Sequence, residues 1–353
     1  MNAKRISQQV LTAPLVAAMF AGYVILDGFD LGAGVLHLFV ARTDAERRAV
    51  LRSIGPVWDG NEVWLVAGGG TLYFAFPALY ASSFSGFYLP LMVVLWLLIL
   101  RGISIELRNH IDSAAWKPLW DAVFFFASAL LAILFGAALG NLVRGVPLNA
   151  QGEFFLPLWT DFQIGPEPGV LDWYTVLTGL FALVALTLHG ARWLILKTDG
   201  AIRERAQALA AKIWWAVFAC TVLVSWITFQ IQRHIPASFH ERPWGFLFPA
   251  LALAGLAGAR FFGNRKREMR AFLSSCLYLA AMLASAAFGL FPYVLPSAGE
   301  PKFGLTLYNA ATSRYGLEIG LRWWIPGMLL AGLYHYFVYR HFAGMVKLDQ
   351  EGY

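Results

Sequence analysis

Nine predominantly apolar runs, each long enough to cross a bilayer, recur along this 353-residue chain and leave few folds open to it. They cover residues 11–39, 57–76, 84–107, 119–143, 171–196, 206–231, 244–262, 271–295 and 319–339. Backbone amides in lipid find no water, so each spanning segment must satisfy its hydrogen bonds internally or in a closed barrel. The period-two alternation of barrel strands is absent, which leaves helices. Composition agrees: 59% of residues are hydrophobic and 14% charged, against about 25% charged in soluble domains. The chain therefore reads as an all-α polytopic membrane protein with about nine transmembrane helices. No linker, repeat or low-complexity tract divides it, so residues 1–353 are taken as a single integral membrane domain.

A net charge of +6 raises the question of nucleic acid, and the distribution of the charge answers it. Arginines and lysines gather in alternate short loops: Arg42, Arg47, Arg48 and Arg52; Arg108 and Lys117; Arg192 to Lys212; and Arg260 to Arg270. The remaining loops hold fewer cations, thinned among Glu153, Asp161, Glu167 and Asp172. This is the asymmetry of membrane orientation and not a nucleic-acid face. The basic side is expected to be cytoplasmic, with the N-terminus outside and the C-terminus inside; Lys4 and Arg5 are two cations against it. The first run is too long for a signal peptide and holds two aspartates, so it is read as a retained helix. The longest connection, 145–170, is expected on the outer surface. Cys220 and Cys276 lie in apolar runs without disulfide or metal spacing.

Acids inside the runs are the informative anomaly, because a carboxylate at mid-bilayer costs about 3 kcal/mol or more. Asp27 and Asp30 stand three apart in the first run, on one helix face, among Gly28, Gly32 and Gly34. Asp59 and Glu62 repeat that spacing at the start of the second run, beside Asn61 and behind Pro56. If the two helices pack together, four carboxylates lead from the cytoplasmic side toward mid-membrane, as a proton path would. Asp59 and Glu62 could instead offset a helix dipole, and Asp27 and Asp30 could form a structural ion pair. Arg101 reads either as a snorkelling anchor, or as a partner of Glu62 or Asp59, or, with Trp58, as a contact to a quinone or lipid headgroup. Glu318 and Arg322 are spaced i, i+4 and are read as a structural pair. Of seven histidines, His37, His189 and His335 lie within predicted helices; none has metal-ligand spacing, and each is expected to be a hydrogen-bonded core residue. No metal site and no nucleotide loop are indicated.

Six runs closely resemble subunit II of the cytochrome bd quinol oxidases. They are Asp27-Gly-Phe-Asp30-Leu-Gly-Ala-Gly34, Trp58-Asp-Gly-Asn-Glu-Val-Trp-Leu65, Tyr80-Ala-Ser-Ser-Phe-Ser-Gly-Phe-Tyr88, Arg101-Gly-Ile-Ser-Ile-Glu-Leu-Arg108, Phe135 to Pro147, and Phe291-Pro-Tyr-Val-Leu-Pro-Ser297. They stand in family order over nearly the whole chain. The resemblance implies two four-helix bundles plus a peripheral helix, in the bacterial inner membrane. It also implies a partner subunit I that holds haem b, haem d and the ubiquinol site, and in some members a small single-helix accessory subunit. The complex would oxidise quinol and reduce oxygen to water, taking protons from the cytoplasm. Asp27, Asp30, Asp59 and Glu62 carry over as proton-path candidates. The stretch 233–242 is shorter than in longer members, and Asn309 stands where many have Asp, so roles at those places do not transfer. The competing class is a proton- or sodium-coupled secondary transporter, which would be expected to show paired broken helices; none is evident.

Overall fold

The computed structural model describes residues 3–346, with side chains from Thr12 onward, so Lys4 and Arg5 lie outside the described side chains. Twelve α-helices and one two-stranded sheet are present among the described residues. The helices are α1 (Ala3–Val40), α2 (Asp44–Ile54), α3 (Trp58–Ala75), α4 (Pro77–Gly86), α5 (Tyr88–Leu107) and α6 (Trp116–Arg144). After the long connection come α7 (Trp173–Lys197), α8 (Gly200–Ile231), α9 (His234–Glu241), α10 (Leu247–Asn264), α11 (Glu268–Leu290) and α12 (Arg314–His341).

Seven stretches are long and apolar enough to cross a membrane, against the nine expected. The second and ninth runs fold as helices too, but α3 spends its first turns on Asp59, Asn61 and Glu62, and α12 is diluted by charged residues and histidine. Two further differences are local. The run 84–107 is not one helix: Phe87 leaves helical geometry, and α4 ends before α5 begins. The run 271–295 stops at Leu290, because Pro292 cannot continue the hydrogen-bond ladder, and Tyr293–Leu295 instead forms strand β1 against β2 (Leu305–Thr306). His234 and His240, in α9, and His341, at the end of α12, also turn out to be helical.

The long helices sort into two groups of four. In the first, α1 packs on α3 and α6, and α6 on α5; in the second, α7 packs on α8 and α11, and α10 on α8 and α11. The groups meet where α6 and α1 lie against α7 and α1 also lies against α11, and α12 rests outside on α3 and α1. Close approach of α1 and α7 depends on two glycines: a Cβ on Gly190 would overlap the Gly32 backbone, and one on Gly32 would overlap the Leu186 carbonyl. Small residues let membrane helices gain van der Waals contact that a larger side chain would prevent.

The two rims differ in character. On the basic rim, α2 is fixed by a capping box, with the Thr43 hydroxyl accepting from the Glu46 amide and Glu46 Oε2 accepting from the Thr43 amide. Arg205 donates to Glu46 and to the Val40 carbonyl, and Trp193 donates to the Ser53 carbonyl, tying α1, α2, α7 and α8 together. On the opposite rim, connection 145–172 buries Val146, Leu148, Leu156 and Val170 with Phe76, Leu295 and Leu307 in a separate apolar cluster. There Asp172 caps α7, accepting from the Tyr174 and Thr175 amides while pairing with Arg144.

Candidate functional site

The site begins with a register on α1. Asp27, Asp30, Gly34 and His37 follow the spacing i, i+3, i+7, i+10, so they lie along one face of the helix over roughly 15 Å. All four are buried. Three helices close over that face: α3, α5 and α6.

Arg101 of α5 stands at the centre of its upper part. Its Nη1 lies 2.7 Å from Asp27 Oδ1 and its Nη2 donates to Glu62 Oε2 at 2.9 Å. Arg101 is 0% exposed, so the snorkelling reading is wrong. The guanidinium stays in the bundle because two carboxylates offset its desolvation, and a buried charge is tolerable only when paired. The ion-pair alternative for Arg101 is the observed one, with Glu62 as one partner and Asp27, unanticipated, as the other. Asn61 of α3 donates to Asp30 Oδ2 at 2.8 Å and accepts from the Tyr339 hydroxyl of α12 at 2.8 Å. Both oxygens of Asp27 and Oδ1 of Asp30 accept no hydrogen bond from the described residues.

Three of the four carboxylates proposed from sequence therefore converge, and Asp59 does not. Asp59 is exposed and makes no hydrogen bond or ion pair with a described residue, whereas Glu62, one turn further along α3, points inward. Near the start of α3, successive turns bring Asp59, Val63 and Val66 to the outer face and Asn61 to the inner one. Trp58 is half-buried and lies over Gly102 of α5. Arg101 is enclosed between Asp27 and Glu62, so the pair Trp58 and Arg101 does not present its guanidinium at the surface of the described residues.

The lower part of the stripe was missed. His37 Nε2 bonds Asp121 Oδ1 at 2.6 Å, and Asp121 also accepts from Arg108 Nε at 2.5 Å and from Arg47 Nη1 at 2.7 Å. Arg108 in turn donates to Asp44 at 2.9 Å. Arg47, Arg108 and Asp44 of this network line a cleft of about 630 Å³ on the basic rim, together with Arg42, Asp112 and Lys117 among others. Burial raises the Asp44 carboxyl, but the hydrogen bond from Arg108 and the charges of Arg108, Arg48 and Lys117 outweigh it and hold it below its ordinary 3.8. The signal for Asp121 was present in the sequence as a further acid inside an apolar run, two residues past its start.

His189 and His335, the other two histidines expected in helices, are committed within the fold. His189 bonds Ser275 and the Ile25 carbonyl and stacks on Phe272; His335 donates to the Ala331 carbonyl and accepts from Trp64 Nε1. Neither ring has a nitrogen free to face an iron, and His37 sits at 0% exposure against Phe124 and Asp121. These residues do not fit a haem, and no haem chemistry is derived from them.

The chain is similar to known proteins over almost its full length. The family described as "Cytochrome bd terminal oxidase subunit II" matches residues 8–342. A probable cytochrome oxidase subunit 2 of Haemophilus influenzae is 32% identical over 95% of this chain and 93% of its own. Cytochrome bd-I ubiquinol oxidase subunit 2 of Escherichia coli is 30% identical over 90% and 88%, and the Bacillus subtilis cytochrome bd subunit 2 is 30% identical over 92% and 94%. The fold is similar to a chain of the bd oxidase from Geobacillus thermodenitrificans, with a TM-score of 0.75 at 18% identity, covering 95% of this chain and 98% of that one. With a family match from residue 8 to residue 342 and relatives at 30% identity across both lengths, the chain belongs to the cytochrome bd terminal oxidase subunit II family.

Proposed function

We propose that this chain braces a haem-bearing subunit I and carries protons toward it within a quinol:oxygen oxidoreductase that reduces oxygen to water. The observation that supports this most is the buried cluster of Asp27, Asp30 and Glu62 around the single cation Arg101. Three carboxyls against one guanidinium leave room for protons to be held and passed on, at a depth where an acid without a function is costly. Asp59, on the outer face of α3, is the fourth member and faces whatever covers that helix.

Haem b and haem d are assigned to subunit I, since His37, His189 and His335 are engaged elsewhere; when bound there, the haems supply the electron transfer and oxygen reduction. Ubiquinol is likewise a substrate of the whole complex. We read residues 1–353 as one membrane domain, with the basic rim cytoplasmic, the N-terminus outside and the C-terminus inside, on the asymmetry of the basic loops. Membrane lipids and a small single-helix accessory subunit are further partners in this reading.

The test is quinol-dependent oxygen uptake by the purified complex carrying Asp27→Asn or Asp30→Asn. Turnover falls by about tenfold or more for a lost proton carrier, with haem content and subunit association unchanged. Loss of haem together with turnover would make the cluster a structural brace only, and solute movement by the isolated chain in vesicles would favour a transporter.

A further inference from the structure

The acid cluster does not end at Asp30. Below it on the same α1 face, Gly34 brings Ser128 of α6 against the backbone, where a Cβ on Gly34 would overlap Ser128 Oγ. One turn further lies His37. Ser128 and Asp121 are seven residues apart on α6 and so share one face, matching the α1 stripe from the other side. Three polar atoms along this seam are buried without a hydrogen-bond partner among the described residues: Asp30 Oδ1, Ser128 Oγ and His37 Nδ1. Buried polar atoms left in this condition are costly, and a run of them along one seam calls for a reason. The other ring nitrogen of His37 is bonded to Asp121, whose second oxygen is held by Arg47 and Arg108, which line the basic-rim cleft.

We propose that His37 is a proton-relay residue, the link through which the cleft lined by Arg47 and Arg108 delivers protons, by way of Asp121, along Ser128 to Asp30. This rests on the reading of the acid cluster as a proton path and adds a second intake to it, separate from Asp59. In the step, His37 begins with its proton on Nδ1; a proton arriving from the cleft through Asp121 passes to Nε2 as the Nδ1 proton leaves toward Ser128, whose hydroxyl passes its own proton on. Asp30 takes up one proton, and the ring is left as its other tautomer, which ring rotation resets. Nothing is oxidised or reduced. Histidine suits this because its two ring nitrogens face opposite ways, one on Asp121 and the other along the seam. Successive groups are about 5 Å apart along the helix axis, a gap that a single bridging water spans in a hydrogen-bonded chain. The charged groups facing His37 are Asp121 of α6, Arg108 at the end of α5 and Arg47 of α2.

The experiment uses the intact complex with His37→Gln, Ser128→Ala, Asp59→Asn and the His37→Gln, Asp59→Asn pair. Gln keeps a hydrogen bond to Asp121 but cannot pass a proton on. The expected result is oxygen uptake lowered about tenfold by His37→Gln, a larger solvent deuterium effect, a further loss in the pair, and unchanged haem content and haem reduction by quinol. Normal turnover with His37→Gln while Asp30→Asn remains slow would overturn the His37 route and leave the acid-cluster reading standing. Normal turnover with both Asp27→Asn and Asp30→Asn would remove that reading itself. If His37→Gln fails to assemble, Ser128→Ala decides: it removes one unpartnered hydroxyl, and a turnover equal to the unmodified complex overturns the proposal.

Discussion

Arg101 shows how one side chain changes meaning once its neighbours are known. On a sequence it is a cation near the end of an apolar run, where its long stem could reach water. In the fold it is enclosed by Asp27 and Glu62, and replacing it leaves two buried carboxyls without a cation. Arg101→Gln is expected to destabilise the subunit by about 3–5 kcal/mol, the usual cost of breaking a buried pair from one side. The check is the thermal midpoint and the yield of assembled complex in detergent. Arg101→Lys restores only part of it, because one ammonium cannot reproduce two guanidinium contacts to separate helices. Asp59 is the converse case: spacing placed it with Glu62, yet on α3 it turns outward, and the i, i+3 rule says that two residues share a face without saying which face is buried.

At the scale of elements, glycines and caps set what can approach what. Gly190→Val is expected to force α7 away from α1, since no side chain fits against the Gly32 backbone. Overpacking of this kind costs about 1–3 kcal/mol or more, and limited proteolysis of the purified subunit would show faster cleavage than in the unmodified protein. Helix α2 gives a pH dependence whose sign follows from Asp44. Its carboxyl titrates below its ordinary value in the folded protein, so its contribution is present above the usual carboxylate range and is lost as pH falls through the lowered value. The thermal midpoint is therefore expected to drop between about pH 5 and pH 3, and Asp44→Asn should flatten part of that drop. The element boundaries missed in the sequence share one cause. Leu290 to Leu295 is apolar throughout and Phe84 to Tyr88 carries only Ser85 as a break, and hydropathy registers burial in lipid or protein alike, so it cannot see a helix stop where the chain stays apolar.

For the whole molecule, the outer surface carries apolar side chains around most of its girth, among them Trp215, Trp226, Leu329 and Leu330. Lipid accounts for those. The outer face of α3 is different, because Val66, 73% exposed, lies two turns from the exposed carboxylate of Asp59, and an acid facing lipid is costly. A protein surface there removes the cost. Val66→Arg is expected to lower copurification of the haem-bearing subunit by about tenfold or more, the effect of a desolvated charge in an interface core. The chain itself should still insert and fold, as judged by its detergent elution profile. Equal recovery of both subunits would place the contact on another face.

Membrane residence, helical class and the basic rim follow from the sequence alone, because transfer of apolar segments into lipid and the placement of cations depend on local composition. The resemblance to a known family was legible in short ordered runs for the same reason: each run is local. Which acids meet was decided only by tertiary structure. Asp27 with Arg101, Asp30 with Asn61, and His37 with Asp121 join residues 74, 31 and 84 positions apart, and those distances close only when helix rotation and crossing are fixed by packing. The sequence identified the costly residues, and the fold assigned Asp27, Asp30 and Glu62 to one buried cluster, Asp59 to an outer face, and His37 to the seam beneath them.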